Sequence, residues 1–118
     1  MPTITPIHAT GSTNGKAIKI VATASTGTTI HTATNVAGEF DDLTLYAYNG
    51  DTVDRELTIQ WGGVATPDND IKITIPAKAG LFAVINGARL NGGLVAAAYC
   101  AAAANVITIT AVVSRYAP

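Results

Sequence analysis

The chain has 118 residues, of which 48% are hydrophobic and only 13% charged, seven basic against eight acidic. That length fits one domain able to bury about two thirds of its extended surface without a metal or disulfide. The near-neutral balance provides no field to hold nucleic acid or anionic lipid, which argues against DNA, RNA and membrane surfaces as partners.

Residues 1–15, MPTITPIHATGSTNG, have neither the basic start nor the continuous apolar stretch of a secretory signal, and Pro2 and Pro6 interrupt them. They predict no export. The segment reads as an extended arm outside the core, with residues 16–118 as the folded domain. Within the arm, Thr3, Ile4 and Thr5 offer main-chain groups for pairing along a partner, and Ile4 and Ile7 offer apolar side chains for shallow pockets. These four residues form the candidate contact site, toward a larger partner or a sister subunit.

From Ile18 onward the pattern has period two. Ile18, Ile20 and Ala22 alternate with Lys19, Val21 and Thr23, and TTIHTA supplies a further strand. Leu43, Leu45 and Ala47 alternate with Thr44, Tyr46 and Tyr48, then Leu57, Ile59 and Trp61 with Thr58 and Gln60, which assigns Trp61 to the core. Ile71, Ile73 and Ile75 alternate with Lys72 and Thr74. Turn clusters punctuate these strands: NGDT at 49–52, GGVATPDND at 62–70, PAKAG at 76–80 and NGARLNGG at 86–93.

The run LVAAAYCAAAA, Leu94 to Ala104, has strong helix propensity, yet its 11 residues are too few to cross a bilayer. Its setting is all strand, so Leu94 to Ala103 is predicted to be a strand, its small side chains pressed against a close layer or a second subunit. NVITITAVVSRY, rich in β-branched residues, follows as another strand. About eight strands at short spacing predict an all-β, antiparallel β-sandwich, jelly-roll-like, with an immunoglobulin-like sandwich as the alternative.

No constellation announces a chemistry. His8 and His31 lack the converging ligands of a zinc site, and no serine sits in a G-x-S-x-G elbow. Cys100 lies among alanines with no positive neighbour to stabilise a thiolate, and as the single cysteine it has no internal disulfide partner, which fits a reducing cytoplasm. The acidic runs Glu39 to Asp42 and Asp68 to Asp70 match no calcium loop and read as turns. Trp61, Tyr46, Tyr48 and Tyr99 are the residues from which a glycan platform could be built. The expectation is no enzyme, no metal and no cofactor.

The strings GTTIHTA, DDLTLYAYN, LTIQWGG, PDNDIKITIPAKAGL, LNGGLV and ANVITITAVVSRY, spanning Gly27 to Tyr116, resemble a family of small proteins encoded beside the capsid genes of tailed bacteriophages, among them capsid decoration (cement) proteins. The resemblance implies a β-sandwich on the capsid surface of a virion assembled in the host cytoplasm. Its implied partners are the major capsid protein and, as a homotrimer, itself. A phage fibre or tail domain that binds host carbohydrate is the alternative. A mean hydropathy of +0.32 with so few charges also points to an oligomer.

Overall fold

The computed structural model describes residues 2–118, so Met1 of the predicted arm lies outside the described residues. Among these there is no helix, and nine strands follow one another: β1 (Thr3–Ile7), β2 (Ile18–Lys19), β3 (Thr28–Thr32), β4 (Phe40–Asn49), β5 (Arg55–Trp61), β6 (Asp70–Ile75), β7 (Phe82–Leu90), β8 (Val95–Tyr99) and β9 (Ile107–Ala117). They form two antiparallel sheets packed as a β-sandwich. In the larger, β9 lies between β4 and a free side along which β1 and β2 pair end to end, and β7 closes the far edge. The smaller runs β3, β8, β5, β6.

The pairing is nested. β2 pairs with β9, β3 with β8, β4 with β7 and β5 with β6, so the chain from β2 onward is one long hairpin. It is rolled so that β9 also meets β4, and β8 also meets β5. The period-two pattern sets which face is buried. On β4 the buried residues are Asp41, Leu43, Leu45, Ala47 and Asn49, with half-buried residues between them. Each fully buried Leu or Ile of this interior, such as Leu43, Leu45, Ile59 and Ile109, contributes about 1.5–3 kcal/mol of apolar transfer.

Several local expectations need correction. The predicted strand Leu94 to Ala103 is β8 alone and ends at Tyr99; Ala101 and Ala102 form an exposed turn. The chain has to leave one sheet for the other there. The N–H of Cys100 donates to the Ala22 carbonyl, and Asn105 takes a left-handed φ of 66° on the way into β9. NGARLNGG, read as a turn, largely belongs to β7. Its Gly87, at φ 74°, lies at a register shift against Leu43 and Thr44 and is the extra residue of a β-bulge, which makes the same glycine demand as a turn. Trp61 faces inward with Leu57 and Ile59 but is half-buried, packed against the core from its margin.

The alanines resolve within the chain. Ala96 and Ala98 face the interior, and Ala97, on the outer face, is buried too. The segment before β3 folds over that face: the N–H of Gly27 donates to Oε1 of the buried Gln60, and Gln60 Nε2 donates to Ser25 Oγ. Small side chains on β8 let this segment approach the strand's backbone closely.

Candidate functional site

β1 carries the four candidate contact residues, with Thr3, Ile4 and Thr5 exposed and Ile7 half-buried against the core. The strand pairs along β9 in regular register, from Thr3 opposite Ala117 to Ile7 opposite Val113. The segment read as an arm therefore enters the larger sheet. Beyond β1 it is tied down further: Ala9 is buried, Thr10 N–H donates to His31 Nδ1, Thr32 N–H donates to Thr10 Oγ1, and Gly11 N–H donates to the Ile30 carbonyl.

The register also decides which main-chain groups remain free. The Ile107 carbonyl accepts from Ile20 N–H on the β2 side, whereas the Val106 carbonyl accepts from Gly50 N–H on the β4 side. Because β9 pairs with β4 without a shift, its odd residues point to β1 and β2 throughout. Thr3, Thr5 and Ile7 lie opposite Ala117, Arg115 and Val113 and so bond into β9. Ile4 and Pro6 point their backbone outward, the side on which a proline loses no ladder bond. Of the three residues expected to pair with a partner, only Ile4 has free main-chain groups.

Ile4 is 62% exposed and faces Tyr116 across the strand pair. Tyr116 stacks on Phe40 of β4, ring centroids 4.7 Å apart and planes at 14°, and the Arg89 guanidinium lies 4.8 Å from the Phe40 centroid on the other side. These aromatics, with Pro2, Ile4, Gly38 and Pro118, line a shallow depression of about 300 Å³. A second hollow, about 330 Å³, lies alongside, between Pro6, Ile7 and His8 and the β9 residues around Val112. A third, about 350 Å³, opens on the smaller sheet over Ala97 and Gln60, between Val64 and Leu94.

The titratable groups near this corner are engaged in the fold. A bulge between Thr29 and His31 turns both Ile30 and His31 inward. His31 Nδ1 accepts from Thr10, so the proton sits on Nε2, which donates to Asp41 Oδ2 at 2.7 Å. Arg115 grips Asp41 with two bonds, Nε to Oδ1 at 2.8 Å and Nη2 to Oδ2 at 3.0 Å, and Thr34 N–H adds a third donor. Burial pushes the Asp41 carboxyl up; the bonds from Arg115, His31 and Thr34 outweigh it and hold the group at about 2, against an ordinary 3.8. With both ring nitrogens occupied and no exposed surface, His31 acts as a tie between the sheets.

The remaining candidate residues stay apart. Glu39 accepts from Thr34 Oγ1, and Asn69 closes its own loop by bonding Ala65 N–H and the Trp61 carbonyl. Cys100 is buried and unpaired. Tyr46 and Tyr48 share the outer face of β4 with Phe40, whereas Tyr99 and Trp61 belong to the other sheet. Among the described residues no three His, Cys, Asp or Glu side chains converge on a point. Phe40, Tyr116 and Arg115 went unnoticed in the sequence, although Arg115 shares the odd, inward parity of Ile107, Ile109 and Val113, which brings its guanidinium to the buried Asp41. No family model, curated protein or solved structure matches the chain.

Proposed function

We propose that the chain is a structural virion protein, a decoration or cement protein that docks on the assembled capsid of a tailed phage and braces its major capsid protein. The observation that carries this reading is the apolar corner at β1: Ile4 stands exposed beside the stacked Phe40 and Tyr116, while the polar groups nearby are consumed in holding the fold. A flat apolar contact of this kind binds a partner without reactive groups. The nested pairing of β2 to β9 supports the jelly-roll form of sandwich, since two sheets are made there by rolling one long hairpin.

Quantitative mass spectrometry of purified virions from a phage encoding the chain tests the reading. Copy numbers on the order of those of the major capsid protein are expected, and a tiny fraction of that number would remove it. A second reading, a fibre or tail domain for neutral glycans, is favoured by one observation. Phe40, Tyr46, Tyr48 and Tyr116 lie on the outer face of one sheet, and among the described residues no Phe, Tyr or Trp is fully buried in the core. Retarded migration in gels containing soluble neutral polysaccharide, lost in a Tyr46→Ala, Tyr48→Ala double variant, would favour it.

A further inference from the structure

We infer that Pro2 and Pro6 make the outer edge of β1 a surface closed to a second copy of itself. An exposed edge strand is a template for another chain, and β1 carries no charged side chain to deter pairing. What it carries instead is proline at the outward positions. Alternation along β1 turns the backbone of Ile4 and Pro6 away from β9, and Pro2 precedes them at the same parity. Proline has no N–H. The free edge thus presents three carbonyls and a single donor, the Ile4 N–H.

Two such edges meet badly in the antiparallel registers that set Ile4 opposite Ile4 or opposite Pro6. With Ile4 opposite Ile4 of a second copy, the pair exchanges two bonds, but Pro2 then faces Pro6 on both flanks, carbonyl toward carbonyl with no hydrogen between them. With Ile4 opposite Pro6, each of the two pairs forms one bond and leaves the Ile4 carbonyl empty. Either arrangement yields two bonds where a proline-free edge centred on Ile4 would make six. Unmet carbonyls at a forming interface cost more than the few bonds return. A strand of a different chain, with N–H groups opposite both prolines, would make four. The edge therefore discriminates by pairing chemistry, while Ile4 and the hollow beside it stay open for side-chain contact.

The use of such a block rests on the shell-docking reading: many copies crowded on one particle must not polymerise through their edges. The block itself does not depend on that reading. The test is light scattering across a concentration series with a Pro2→Thr, Pro6→Thr variant. The variant should gain a concentration-dependent association beyond whatever mass the wild-type chain shows, with unchanged β-sheet circular dichroism. A folded variant whose mass tracks the wild type at every concentration overturns the inference. A measurement on the wild type keeps it open to refutation should the variant misfold. By amide hydrogen exchange, Thr5 and Ile7 should be protected and Ile4 unprotected at all concentrations. Protection of Ile4 that grows with concentration would show the edge already pairing with a copy and overturn the inference. Near-absence of the wild-type chain from purified virions would count against the docking reading alone and leave the block standing.

Discussion

Replacing the Asp41 carboxylate by an amide would leave the partly exposed Arg115 without its counter-ion and put an NH2 group where Asp41 now accepts from the buried His31 and from Thr34. Arg115 is about a third exposed, so water can take over part of the lost contact, and the loss falls below that of a fully buried pair. Asp41→Asn is expected to lower urea stability by about 1–3 kcal/mol. The same group sets an acid limit. Its folded pKa of about 2 lies below the ordinary 3.8, so the stability it contributes is complete above about pH 4 and is lost as pH falls through 2, about 2 kcal/mol in all. Urea titrations at pH 5 and pH 2 should show that loss in the wild type and a flatter profile in Asp41→Asn. The partners of Asp41 were half-legible. Arg115 follows the inward parity of β9, but the bulge that turns His31 inward beside Ile30 leaves no mark in the alternation.

At the scale of elements, long alternating strands were read correctly because burial on one face dictates their pattern, as on β4. Glycine misled at Gly87, where a bulge and a turn ask for the same left-handed residue. β8 misled for a different reason: its alanines serve a close approach, and the exposed ones after Tyr99 serve nothing that periodicity records. A Cβ at Gly27 would lie 2.6 Å from the Ala98 carbonyl oxygen, so Gly27→Ala is expected to cost about 1–3 kcal/mol in urea unfolding, because backbone has to move on both sides. The N-terminal segment should divide at Ile7. Deleting residues 2–7 removes one edge strand of mainly exposed residues. Deleting residues 2–12 also removes Ala9 from the core and leaves His31 Nδ1 and Thr32 N–H without partners. The longer deletion is expected to lose at least about 1 kcal/mol more than the shorter, because His31 Nδ1 is a buried group left unmet, at about 1–3 kcal/mol, and Ala9 leaves the core. Equal unfolding midpoints for the two would mean that Ala9 and Thr10 contribute nothing.

For the whole molecule, a charge content of only 13% leaves little to keep exposed apolar surface apart. The alanine strand no longer argues for a second subunit, since Ala96, Ala97 and Ala98 are buried by the chain's own segments. What argues for one is the apolar surface that remains. Val64 and Leu94 are 51% and 47% exposed on the rim of one hollow, and Val36 stands exposed on the loop that follows β3. Backbone bonds from Ala33 N–H to the Leu94 carbonyl, from Gly93 N–H to the Thr34 carbonyl and from Gly62 N–H to the Val95 carbonyl gather these loops at one end of the sandwich. Three exposed large side chains gathered at one end suit burial against sister subunits. A homotrimer is the expected state, and light scattering at micromolar concentration should return three times the 12.0 kDa chain mass. Val64→Asp with Leu94→Asp should dissociate it, because closing the same contact would bury two unpaired carboxylates per chain. The dissociated variant should keep its β-sheet circular dichroism, since both side chains lie outside the core. A wild-type chain that runs as a monomer and stays clear at millimolar concentration would end the trimer proposal and leave the loop end for some other partner.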